Sequence, residues 1–92
     1  MKDYQWNKDK NSQLRIRHGV CFDDMVPLLN KNERVLDIIR HLNQKKYPNQ
    51  KMFVVEVGGY AYLVPYVEDD EKIFLKTIIP SRKATKKYIT KR

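Results

Sequence analysis

Lys51-Met52-Phe53-Val54-Val55-Glu56-Val57-Gly58-Gly59-Tyr60-Ala61-Tyr62-Leu63-Val64-Pro65-Tyr66-Val67 is the stretch on which the fold turns. Two runs rich in β-branched and aromatic residues flank a Gly-Gly pair. That pairing is a hairpin signal, because both central residues of the favoured two-residue turn need positive φ. The spacing therefore predicts strands over 51–57 and 60–67. Upstream, Arg34 to Arg40 reads as a strand with mixed faces, and the polar stretch His41 to Gln50 reads as a loop. Downstream, Glu68-Asp69-Asp70-Glu71 reads as a second turn leading into a strand from Lys72 to Ile79.

Beyond this meander the pattern changes. Pro80 has no N–H and stops the strand ladder, and Ser81 is a good N-cap for a helix that follows. At about 100° per residue, Arg82, Lys83, Lys86, Lys87 and Lys91 share one arc of that helix. Ala84, Thr85, Tyr88 and Ile89 share the other, so the helix docks one face and offers a basic one. Arg82 and Lys83 stand in its first turn, where the helix dipole disfavours cations by roughly 0.3–1 kcal/mol but favours an anion. Such a conflict marks a candidate site as readily as a solvated basic tail.

At the other end, Tyr4-Gln5-Trp6 is a short strand candidate. A helix from Asp9 or Asn11 to Arg17 follows, stopped by Gly19, with Arg15, Arg17 and His18 in its last turn. Phe22 to Leu29 reads as a second helix with acids in its first turn, kinked or shortened by Pro27. The expected class is α+β, ordered β-α-α-β-β-β-β-α: an antiparallel sheet with N-terminal helices and a C-terminal basic helix. Residues 1–92 read as a single domain.

Nineteen Lys and Arg against eleven Asp and Glu give a net charge of +8. The last twelve residues hold six of those cations and no acid, while the first eighty carry only +2. A localised excess suits a polyanion-binding surface. The single Cys21 permits no internal disulfide and suits a reducing compartment. The N-terminus lacks the apolar segment of a signal peptide, and no apolar run approaches the ~20 residues that span a bilayer. A cytoplasmic protein without membrane contact is expected.

Two histidines, one cysteine and no paired-ligand spacing give no recognisable metal site, so neither metal nor cofactor is expected. The carboxylates of Glu68 to Glu71 suit a solvated turn, and Gly58-Gly59 precedes no helix, as a phosphate loop would. What remains is cationic and aromatic. His18 suits capping or packing first, and proton transfer near neutrality second. Lys76, sharing a face with Phe74 and Ile78 on a period of two, either snorkels to solvent or joins a phosphate-binding face. Tyr60, Tyr62 and Tyr66 alternate on one face, for core packing or for stacking bases.

Three ordered motifs carry a resemblance: Trp6-Asn7-x-x-Lys10, then Arg17-His18-Gly19-Val20-Cys21-Phe22-Asp23-Asp24, and finally Ile78-Ile79-Pro80-Ser81-Arg82-Lys83-Ala84-Thr85. They resemble the BrnT family of bacterial toxins, which typically shows W-D-x-x-K, K-H-G-V-S-F-E-E and I-I-S-A-R-K-A at corresponding spacings. Residues 30–50 match poorly. Asn7 stands for an acid, Leu14 where the family often has Asn, Cys21 for a capping Ser, and Pro80-Ser81 for Ser-Ala.

The resemblance implies a RelE-like fold and a ribonuclease toxin of a type II toxin–antitoxin system that blocks translation. It also implies neutralisation by a cognate DNA-binding antitoxin encoded nearby, with DNA contacted only through that complex. Metal-free RNA cleavage needs the ribose 2′-OH activated, the phosphorane charge stabilised and the leaving oxygen protonated. Arg82 and Lys83 are the candidates for the charge and His18 for the proton, provided that the fold joins the end of the first helix to the start of the last. Arg15, Arg17, Lys76, Lys86 and Lys87 are the candidates for tracking the RNA backbone. A non-catalytic nucleic-acid-binding module is the alternative, and an adaptor for an acidic protein is a third reading.

Overall fold

The structure is a computed structural model that describes residues 3–90. Its elements run β1 (Asp3–Trp6), α1 (Lys8–His18), α2 (Phe22–Lys31), β2 (Val35–Arg40), β3 (Lys51–Val57), β4 (Tyr60–Glu68), β5 (Lys72–Leu75), β6 (Ile79–Pro80) and α3 (Arg82–Thr85). A π-helical segment, Lys86–Thr90, continues α3. The expected hairpin forms at Gly58-Gly59, whose φ values of 60° and 82° are those a primed turn demands. β2, β3, β4 and β5 then pair as an antiparallel meander.

Two expectations about the sheet are corrected. First, it is mixed rather than antiparallel: β1 lies parallel to β5, with Asp3 opposite Lys72 and Trp6 opposite Leu75, giving the order β1-β5-β4-β3-β2. Second, Lys72 to Ile79 is not one strand. It breaks after Leu75, and the short β6 resumes against β4, with Ile79 opposite Leu63 and Pro80 opposite Tyr62. Pro80 thus lies within the ladder, and the next N–H, that of Ser81, donates to the Ala61 carbonyl at 3.0 Å. The break also changes face parity: Ile78 is buried, while Lys76 is exposed over the Phe74 ring.

The helices depart from expectation at their ends. α1 begins earlier, because Asn7 caps it by accepting from the Lys10 N–H at 2.9 Å. Its end is as read, with Gly19 left-handed at φ 73°. Pro27 does not shorten α2, which runs on to Lys31 and closes on left-handed Asn32. The missing Pro27 N–H forgoes one hydrogen bond within a helix whose apolar side buries Phe22, Met25 and Leu29, and burial outweighs it.

Period-two alternation divides the sheet into two faces. Phe53, Val55, Val64, Tyr66 and Leu75 pack with Leu14, Val20, Phe22, Met25 and Leu29 beneath α1 and α2. Met52, Val54, Ala61 and Leu63 pack with Ala84 beneath the C-terminal helix, joined by half-buried Tyr88 and Ile89. Tyr66 stacks on Phe53 at 4.1 Å, and Tyr62 packs at the core edge, so these tyrosines are packing residues. Among the described residues no helix is long and apolar enough to cross a membrane.

Candidate nucleic-acid interface

The C-terminal helix is built outward from its polar anchors. Ser81 accepts the Ala84 N–H on its hydroxyl at 3.0 Å, as the N-cap reading requires. Thr85 is buried, its hydroxyl accepting from the Ala61 N–H at 2.9 Å and donating to the Ser81 carbonyl at 2.8 Å. With the Ser81 N–H on the Ala61 carbonyl, both backbone groups of Ala61 bind the start of the helix. At the far end the Tyr88 hydroxyl donates to Asp37 Oδ2 at 2.6 Å, tying the π segment to β2. That bond holds the Asp37 carboxyl below its ordinary pKa, helped by the Ile38 N–H, and pushes the Tyr88 phenol up.

Fixed in this way, the helix divides as its periodicity predicts. Ala84 and Thr85 are buried and Tyr88 and Ile89 half-buried, while Arg82, Lys83, Lys86 and Lys87 are exposed. Lys91 of the same arc lies outside the described residues. Lys76 belongs with this group. Its N–H donates to the Pro65 carbonyl at 2.8 Å, and its ammonium lies 5.3 Å from the centre of the Phe74 ring. Phe74 alternates with core-facing Leu75, so it and Lys76 stand on the face that carries the helix. Pro65 is two residues along β4 from Leu63, which places Lys76 about 7 Å along the strand from the helix floor.

The remaining candidates lie elsewhere. His18 is half-buried in the last turn of α1, with Arg15 and Arg17 exposed beside it. α1 covers the opposite sheet face, and no hydrogen bond or ion pair among the described residues joins His18 to Arg82 or Lys83. The expected constellation is thus divided. Five cations share one face, and His18, Arg15 and Arg17 belong to the helix layer of the other.

Arg15 also has a structural partner. Its Nη2 donates to Cys21 Sγ at 2.8 Å, and Cys21 is fully buried at the N-terminus of α2. Burial pushes the Cys21 thiol up, so it stays protonated and donates to Asp24 Oδ2 at 3.4 Å. Asp24 in turn accepts the Cys21 N–H at 3.0 Å. Asn11 binds the same corner, accepting from the Phe22 N–H at 2.6 Å and donating to Asp23 at 2.9 Å. Asn7 as a cap and Leu14 as buried core have plain structural work, so neither departure from the BrnT pattern removes a group from the basic face.

Sequence reading missed Asp37 and Tyr88 as a pair, since 51 residues separate them. It also passed over Leu42, an apolar residue in a polar loop that is 79% exposed. Among the described residues no three His, Cys, Asp or Glu side chains group as metal ligands. The chain matches no protein-family model, no curated protein and no solved structure.

Proposed function

We propose that this chain is a ribonuclease toxin of a type II toxin–antitoxin system, which cleaves single-stranded RNA without a metal ion and so inhibits translation. One observation carries the reading: Arg82, Lys83, Lys86 and Lys87 stand exposed along a helix whose opposite side is bolted to the sheet, with Lys76 on the same face. A fixed row of cations suits a phosphodiester backbone, and the resemblance of both chain ends to BrnT toxins supplies the chemistry. In that chemistry a 2′-oxygen attacks the adjacent phosphorus and the 5′-oxygen departs with a proton. Arg82 and Lys83 stabilise the charge on the phosphorane, and Lys76, Lys86 and Lys87 hold flanking phosphates. His18, with Arg15 and Arg17 beside it, stands in the helix layer of the other sheet face, so it transfers the proton only if one RNA strand reaches both layers. A RelE-like arrangement and a DNA-binding antitoxin belong to the same proposal.

The division between sheet faces favours a second reading, a non-catalytic RNA-binding module that uses the same helix. End-labelled single-stranded RNA incubated with the protein in excess EDTA separates the two. Cleavage leaving cyclic or 3′-phosphate ends is expected. Replacing Arg82 and Lys83 together by Gln should lower the saturated rate about a hundredfold or more. His18→Ala decides the proton transfer: a loss of about 10²–10⁴ assigns it to His18 across the two layers, and an unchanged rate removes His18 from the site. Activity that vanishes in EDTA and returns with Mg²⁺ overturns the mechanism. RNA binding without cleavage establishes the module instead.

A further inference from the structure

Where β2 and β4 end and β3 begins, the sheet carries an open cleft of about 560 Å³. In the strand pairing Arg40 stands opposite Lys51, and Lys51 opposite Tyr66, so the three side chains form one row across three strands. Tyr66 belongs to the core beneath α1 and α2, which puts the row on that sheet face. The cleft lies outside the part those helices cover, since its described lining includes no residue of either. Asn49 and Gln50 line its loop side, and Glu68, two residues along β4 from Tyr66, shares the face of the row.

Two features of this lining conflict with a plain structural role. Arg40 and Lys51 are like charges directly opposed, an arrangement that destabilises a strand pair. Glu68 relieves Lys51 at 3.9 Å, but among the described residues Arg40 forms no ion pair. Tyr66 is only 4% exposed, its ring held on Phe53, and among the described residues its hydroxyl has no hydrogen-bond partner. No wholly buried side-chain oxygen there lacks a partner, so the little surface Tyr66 keeps includes that hydroxyl, at the cleft wall. Burial, with Glu68 and Tyr4 adding to it, pushes the phenol up to about 12, so it remains a donor near neutrality. The next acid along the chain, Asp69, is turned to the Glu71 and Lys72 N–H groups at 2.8 and 2.9 Å.

We propose that this cleft binds a phosphorylated sugar, with the phosphate on Arg40, Lys51 and the Tyr66 hydroxyl and the sugar hydroxyls on Glu68 and Asn49. A guanidinium fork grips two phosphate oxygens, the ammonium adds a point charge and the phenol a third donor. A bare anion would leave the Glu68 carboxylate with only repulsion to offer, whereas a ligand that carries hydroxyls gives it protons to accept. The Tyr66 ring is buried against Phe53, so no aromatic face is open to stack a base, and recognition ends at the sugar. The volume lies within the ordinary range of small-molecule sites, about 300–1,000 Å³. A free ribose phosphate and the phosphorylated 5′ end of a nucleic acid present this same chemistry. None of the residues assigned to RNA cleavage lines the cleft, so the proposal stands apart from that reading.

The probe is ribose 5-phosphate, titrated into the full chain by isothermal calorimetry beside ribose and inorganic phosphate. Saturable binding with a Kd of about 1 mM or tighter is expected, at least about tenfold tighter than either control. Arg40→Gln, at an exposed position, should weaken it about tenfold. Tyr66→Phe keeps the ring on Phe53 and should weaken it about fivefold while melting stays unchanged, because the hydroxyl it removes serves no bond within the described fold. Replacing Lys86 and Lys87 by Gln should leave the affinity as in the parent. A single-stranded oligonucleotide with a 5′-phosphate, set against its 5′-hydroxyl twin, assigns the source. A preference of about tenfold that Arg40→Gln abolishes makes the ligand a nucleic-acid end, and equal binding of the two makes it the free sugar phosphate.

The proposal is overturned by absence of binding at about 10 mM ribose 5-phosphate, by inorganic phosphate binding as tightly, or by indifference to Arg40→Gln. Affinity that falls with Lys86 and Lys87 rather than with Arg40 seats the ligand on the basic helix and overturns it too. A Tyr66→Phe protein that melts lower and binds as the parent does makes the hydroxyl part of the fold, and likewise overturns it. Cleavage of RNA, or its absence, changes none of these outcomes, so this inference and the toxin reading fail separately.

Discussion

The two faces of one sheet have been covered in different ways. Beneath α1 and α2, the larger cluster buries Leu14, Phe22, Met25 and Leu29 against Phe53, Val55, Val64, Tyr66 and Leu75. The ten-residue α2 presses Phe22, Met25 and Leu29 onto it, and the eleven-residue α1 adds Leu14. The other face carries a short helix that buries the apolar Ala84 over Met52, Val54, Ala61 and Leu63. Hydrogen bonds do there what area does opposite: Ala61 is bound twice at the start of the helix and Asp37 once near its end. A small footprint held by directional bonds leaves most of the helix surface in water, where it carries cations. Beneath its helices one face supports the fold, and the other presents chemistry.

The contrast is broken most severely on the packed face. Phe22→Ala removes a fully buried ring that also meets Trp6 at 5.7 Å, and should cost about 3–5 kcal/mol. Domains of this size have little more than 5 kcal/mol to lose, so the variant should be largely unfolded on denaturant titration. A fall below about 1 kcal/mol would show that the first face is not the foundation.

Next comes the bolt on the other face. Thr85→Val keeps the shape and leaves the buried Ala61 N–H without its partner, a cost of about 1–3 kcal/mol. Melting should fall roughly 4–8 °C for each kcal/mol, and Thr85→Ser, which keeps the hydroxyl, should recover most of it. If Val melts like the parent and Ser falls, the methyl rather than the bond secures the helix.

The exposed arc should hardly affect stability. Replacing Lys86 and Lys87 by Gln should leave melting within about 0.5 kcal/mol of the parent. It should flatten the slope of log K against log salt for single-stranded RNA by up to about 1.4, since each phosphate contact contributes about 0.7. An unchanged slope removes both lysines from the interface.

What the sequence made legible follows the range of the forces involved. Gly58-Gly59, the Ser81 cap, the Gly19 stop and the two-sided Arg82 to Ile89 arc are all written in residues a few positions apart, and each was readable. The parallel seat of β1 on β5 was not, because a strand's period records its faces but not its neighbour. The break after Leu75 hid inside a continuous apolar run, since Ile78 is apolar whichever face it takes. Asn7 departs from the motif in sequence, and in the fold it is the cap that starts α1. For the site, the cationic face was legible, whereas the layer holding His18 depends on which face each helix covers, a matter of tertiary packing alone.

The smallest expected effect is the most specific test of the second face, because it titrates. The Tyr88 hydroxyl bond, with the Ile38 N–H, lowers the Asp37 pKa from its ordinary 3.8. A carboxyl whose folded pKa is depressed adds stability that is present above its unfolded pKa and lost as pH falls through the folded one. The Tyr88 phenol is shifted the opposite way, upward from 10.0, so its contribution is full below that value and lost as pH rises through the folded pKa. Between these limits the bond is intact. Tyr88→Phe removes the hydroxyl while keeping the ring, so the melting gap between parent and variant isolates the bond. That gap should be flat from about pH 5 to pH 9, close as pH falls below the ordinary carboxylate range, and close again above about pH 10. Added salt should narrow it only slightly, since a hydrogen-bonded contact at 2.6 Å is screened far less than separated surface charges. A gap equally large at about pH 2 would mean that Tyr88 steadies the helix by packing rather than through Asp37, and would reduce the second bolt to an apolar contact.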